Sequence, residues 1–125
     1  MTPITTAGLV VAAALIVVGL AALIAPHPAA RAYGLPADGD AARGFVRATG
    51  IRDVVIGVVL GAAAYVHDVP LLVVLAIAGI AISAGDAFIA YHSGGRRWRP
   101  EHGIHAAGAI AFVLVLAMAL FAIGA

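Results

Sequence analysis

Three residues able to exchange protons stand inside long apolar runs of this chain: Asp53, Asp86 and His105. Two carboxyl groups and an imidazole lining one cavity can act as general base and general acid. Arg52 adjoins Asp53, and Arg47 lies a turn or more before it. Either guanidinium could hold the polar head of a substrate, with Thr49, Ser83 and His102 adding hydrogen-bonding groups. An ionisable side chain within hydrocarbon is costly and by default functional. The competing reading is structural: paired charges clamp helices together, and Arg52 snorkels toward the lipid headgroups.

The elements that must position these groups follow from lengths. The apolar run Val54–Val66 is too short to cross a bilayer, which takes about 20 helical residues. The helix therefore has to continue backwards through Asp53 and Arg52 toward Arg47 and Arg43. Asp53 to Val66 is about 20 Å of helix rise, which leaves Asp53 about 10 Å inside the far boundary of a ~30 Å core. Asp86, about 24 Å beyond Pro70, falls about 6 Å inside that boundary, and His105 stands near the same level. One layer of titratable groups results, contributed by three helices. Arg52 and Asp53 point about 100° apart, so each is expected to need a partner from another helix. The expected pairing is Arg52 with Asp86, leaving Asp53 to His105 or Arg47. Gly50 and Gly57 flank Asp53 and are expected to leave room beside it for a ligand or water.

Composition sets the class. Of 125 residues, 64% are hydrophobic and 10% charged, with a mean hydropathy of +1.12. A soluble domain would be about half apolar and a quarter charged. The chain reads as one all-α integral membrane domain, residues 1–125, with the lipid bilayer as its first partner. The net charge of +1, without a basic stripe bearing aromatics, excludes a nucleic-acid partner. The absence of Cys excludes disulfides, thiolate metal sites and cysteine catalysis. His102 and His105, with Glu101 beside them and His92 across the loop, have no firm ligand count, so neither metal nor cofactor is expected. Gly94-Gly95 makes a turn, and no Walker pattern follows it. Abundant Ala, Gly and Val suggest a GC-rich bacterial genome.

The spans fall at about 4–25, 42–66, 70–91 and 102–124, giving a four-helix transmembrane bundle with short loops. The first ends at Pro26-His27-Pro28 and lacks the basic n-region of a signal peptide, so it is expected to be retained. Its face Gly8, Ala12, Leu15, Gly19, Ala22 suits close helix packing, and Gly57 with Gly61 could pair a helix or two copies in a homo-oligomer. Residues 29–42 hold a short helix and a turn; Arg31 and Tyr33 read as interface anchors or as part of a flap over the polar site. Arg31 and Arg43 mark one basic loop, and Arg96, Arg97 and Arg99 beside Trp98 mark another. Loops 26–43 and 92–101 are therefore expected in the cytoplasm, both termini on the outer side, and the protein in the plasma (inner) membrane.

The pattern Tyr33-Gly34-Leu35-Pro36, then Phe45 to Asp53, Gly57, Asp86-Ala87 and His102 with His105 resembles a family of small four-helix membrane proteins in bacteria and fungi, classified only as a domain of unknown function. The resemblance covers nearly the whole chain, and Gly50-Ile51-Arg52-Asp53 is its most specific element. It implies a four-helix membrane bundle and no particular activity. From the residues themselves, the favoured function is an acid/base enzyme (isomerase- or cyclase-like), or a binder, acting on a small lipophilic molecule. The alternatives are a proton-coupled transporter subunit, which would need a dimer, and a purely structural membrane subunit. A closed cavity with a lipid-side portal would favour the enzyme; a path continuing past Phe112 would favour transport.

Overall fold

Caps and prolines set the helix boundaries. Thr2 opens α1 (Pro3–Ile24), its hydroxyl accepting the Thr5 N–H at 3.4 Å while Pro3 takes the first helical position. Pro26 cannot continue that helix and instead starts α2 (Pro26–Ala32). Gly34, at φ +70°, turns the chain out of α2 as the Leu35 N–H reaches back to the Ala30 carbonyl at 2.9 Å. Helix α3 (Asp40–Tyr65) starts at Gly39, with Asp40 paired to Arg43 one turn on. Asp68 then accepts the Leu71 N–H at 3.0 Å and opens α4 (Val69–Ser93). A 3-10 turn, Pro100–His102, leads into α5 (Gly103–Gly124). His102, expected to open the last long helix, belongs to that 3-10 turn.

The computed structural model describes residues 1–35, 38–93 and 96–124, and these are helical without any strand. The expected Gly94-Gly95 turn lies outside the described residues. Among the described residues, three segments are long and apolar enough to cross a membrane: Pro3–Ile24, Val69–Ser93 and Pro100–Gly124. Helix α3 has comparable length, but its stretch from Asp40 to Asp53 carries Asp40, Arg43, Arg47, Arg52 and Asp53.

Packing follows residue size. Helix α1 lies mainly on α3 and α4 mainly on α5, while the two pairs touch each other more lightly. Along α1 and α3 the backbones nearly meet. A Cβ added at Gly19 would lie 2.6 Å from the Gly50 carbonyl oxygen, and one at Gly57 would lie 2.9 Å from that of Ala12. Gly50 and Gly57 are thus filled by α1, so any space beside Asp53 comes from elsewhere than these glycines, contrary to expectation. Gly61 also faces Ala12. In the second pair, the Phe112 ring lies directly over Gly79. Leu60, Leu72, Ala76, Phe112 and Val115 form the core at one end of the bundle. A second cluster, Ala22, Ala30, Tyr33 and Val46, seats α2 at the other. Large apolar side chains such as Val17, Val58 and Phe121 point outward. Small residues inside and large ones outside suit a lipid surround, where dispersion contacts drive helix association.

This packing gives a paired test. Gly50→Ala should lower stability by about 1–3 kcal/mol, since the new methyl meets backbone that cannot give way. Gly85→Ala, with nothing within 4 Å, should be neutral or add up to about 1 kcal/mol of helix propensity. Thermal unfolding of both variants in detergent reads the contrast, and equal effects would contradict the close α1–α3 approach.

Candidate functional site

Between the two helix pairs lies a cavity of about 350 Å³. Its walls are mainly apolar, among them Val11, Leu15, Val18, Ile56, Ile82 and Phe112, and its polar groups are few. Thr49, Arg52, Asp53 and Ile56 reach it together because i, i+3, i+4 and i+7 share one helix face. Ser83 and Asp86 come from α4, and His105 comes from α5. Thus Asp53, Asp86, His105, Thr49, Arg52 and Ser83 line one space. Arg47 and His102 do not. Arg47 lies about 120° around α3 from Asp53 and is exposed. His102 is fully buried in the 3-10 turn, where its Nδ1 accepts the Arg99 N–H at 3.2 Å and its ring stands edge-on to Trp98. Its role is to hold the turn that enters α5.

Arg52 organises the charges. Its Nη1 and Nη2 donate to the two oxygens of Asp86 at 3.2 and 2.8 Å, a bidentate fork. Its Nε and Nη2 also donate to Asp53 Oδ1 at 3.1 and 3.0 Å. The Arg52–Asp86 pairing is the expected one. The second is not, since adjacent residues on a helix diverge. Arg52 has a stem long enough to fold back, and its planar fork offers donors on two edges. With most of those donors committed to carboxylates, Arg52 positions the two acids and is not free to grip a headgroup. Thr49 spends its hydroxyl on the Phe45 carbonyl at 3.2 Å, which weakens its claim as a ligand contact.

Tyr33 is the site residue that sequence reasoning missed. It stands just past α2, lines the cavity together with Leu35, and is only 6% exposed. Its carbonyl accepts a hydrogen bond from His105 Nε2 at 3.1 Å, and its ring lies 5.9 Å from the imidazole. That bond fixes the His105 ring and leaves Nδ1 as the nitrogen able to exchange a proton. The Tyr33 hydroxyl is buried with no hydrogen-bond partner among the described residues. Burial, and then the nearby Asp53 carboxylate, push the phenol up to about 12, so it stays protonated at neutral pH. The one available signal was the flap reading of residues 29–42. Among the described residues, no group of three or more metal-ligating side chains converges.

Because Arg52 serves two acids, its loss should be severe. Arg52→Ala should cost about 3–5 kcal/mol by stranding the buried Asp53 and the half-buried Asp86. Adding Asp86→Asn should recover part of that, and Arg52→Lys should not substitute, because an ammonium lacks the fork. Unfolding midpoints of the single and double variants decide this; simple additivity would show that the pair is not coupled.

Neither a curated protein nor a solved structure matches this chain. A family model does, over residues 12–120, which takes in α2, α3, α4 and every cavity-lining polar residue. The chain belongs to the family described as a domain of unknown function, DUF4267.

Proposed function

We propose that this chain is an integral membrane protein that binds a small lipophilic molecule and moves a proton on it. Its four long helices would each cross the plasma (inner) membrane once, with loops 26–43 and 92–101 in the cytoplasm and both termini outside. The observation that carries the function is the apolar cavity whose polar groups include Asp53, Asp86 and His105, drawn from three helices. The chemistry suits an isomerase or cyclase. Asp53 takes a proton from one position of the substrate, the free Nδ1 of neutral His105 accepts it in turn, and the imidazolium returns it at another, so a double bond moves with no net change in protons. Arg52 holds both carboxyl groups in place. Asp86, bound through both oxygens, serves as the fixed counter-charge.

Two features argue against a transport path. The Phe112 ring sits over Gly79 at the edge of the cavity, and Leu60, Leu72, Ala76 and Val115 pack the end of the bundle beyond. Openings lie sideways instead. Val10 on α1, and Phe45 and Ile89 on α3 and α4, line the cavity while facing outward, as a portal from the lipid would require. A purely structural role would explain the Arg52 clamp but leaves the cavity without a purpose.

Sidedness can be tested on this cysteine-free chain with Ser93→Cys and Asp68→Cys. A membrane-impermeant maleimide should label Asp68→Cys in intact cells and Ser93→Cys only after lysis; the reverse pattern would invert the proposed orientation. Function rests on Asp53→Asn, which preserves shape and the Arg52–Asp86 fork. It should insert and unfold near the wild-type temperature, yet lose the small molecule that native mass spectrometry finds with the wild type. If it unfolds as readily as Arg52→Ala, Asp53 is a clamp and the acid/base reading fails.

A further inference from the structure

We propose that the molecule taken by this cavity carries a protonated amine head on an apolar body. The inference rests on the reading of the cavity as a ligand site and adds the chemistry of the head.

Charge supplies the first argument. Asp53 and Asp86 face the cavity against a single guanidinium, that of Arg52. Both oxygens of Asp86 and Oδ1 of Asp53 accept from Arg52, while Oδ2 of Asp53 accepts from no described residue. The other cations of α3 do not help: Arg43 pairs with Asp40, and Arg47 is exposed outside the lining. His105 commits Nε2 to a backbone carbonyl, a bond the neutral imidazole makes in full. One formal negative charge is therefore left over among apolar walls, where an unpaired charge is costly.

The second argument is independent of charge. The Tyr33 hydroxyl, on a residue 6% exposed that lines the same cavity, is buried and unpartnered. A buried hydroxyl without a partner marks a place where a polar group of something else belongs. An ammonium group has three donors. It can satisfy the free oxygen of Asp53 and still offer hydrogen bonds to polar groups of the same lining such as Tyr33 and Ser83, and it cancels the surplus charge. A carboxylate or phosphate head would add like charge beside two acids. An alcohol would fill one or two hydrogen bonds and leave the charge in place.

The test uses three probes with one apolar cage: 1-adamantylmethylamine, 1-adamantylmethanol and 1-adamantanecarboxylate. Each is titrated into the full chain in phosphatidylcholine nanodiscs at pH 7, with empty nanodiscs subtracted. The amine should bind about ten-fold or more tighter than the alcohol, as a charge-assisted hydrogen bond implies, and the carboxylate should bind weakest. Asp53→Asn should erase the preference of amine over alcohol. Tyr33→Phe, which removes only an unpartnered hydroxyl, should weaken the amine about five-fold without lowering the unfolding temperature. Equal binding of amine and alcohol, or tightest binding of the carboxylate, overturns the amine head alone. Binding of none of the three overturns the ligand site itself and the proposed function with it.

Discussion

The guanidinium of Arg52, held between the carboxylates of Asp53 and Asp86, is the interaction on which the rest of the arrangement depends. It joins α3 to α4, and so ties one helix pair to the other where their own contact is light. Taking three charges out of water is unfavourable unless geometry and hydrogen bonding are close to complete. Here the fork on Asp86 and the two bonds to Asp53 nearly exhaust the donors of Arg52, which is what makes the cluster tolerable among apolar helices. The same commitment has a chemical consequence. A positive group already spoken for cannot recruit an anion, and the carboxylate oxygen left without a partner among the described residues is Oδ2 of Asp53.

The cavity itself is a by-product of how the glycines are spent. Gly8, Gly19, Gly50 and Gly57 let α1 and α3 approach to backbone contact, and Gly79 admits the ring of Phe112 between α4 and α5. Close packing within each pair, around a charge cluster that cannot collapse, leaves space between the pairs. Toward one end of the bundle, Leu60, Leu72 and Val115 pack into the core. Near the other, α2 and Tyr33 pack across that space, and the bond from His105 to the Tyr33 carbonyl fastens this cover to α5. A stretch that looks like interface decoration thereby supplies part of the wall through Tyr33 and Leu35, just past α2, and orients the imidazole of the site.

Much of this was legible in the residues. Composition and run length pointed to apolar helices, and the short run Val54–Val66 pointed to a helix continuing back through Asp53 and Arg52, as α3 does. Helix rise brought Asp53, Asp86 and His105 to one level, because depth is a property of distance along one helix. Glycine spacing on α1 marked the side that packs. These conclusions need only local geometry and the energetic cost of charge in an apolar medium.

What the tertiary structure decided is which neighbour each side chain meets. Spacing alone made Arg52 and Asp53 diverge, whereas the folded chain lets the long Arg52 side chain turn back and serve both acids at once. Gly50 and Gly57 could equally have opened space for a ligand or for a helix, and α1 took it. Arg47 and His102 carried plausible chemistry but stand away from the cavity, one exposed and one locked in the turn before α5. Tyr33, far from Asp53 in sequence, reaches the site only because α2 folds across the bundle. Sequence by itself determined the helices, their faces and the presence of buried charge, since those follow from period and hydropathy. Partners, space and cover depended on which helices pack together, and no single helix encodes that.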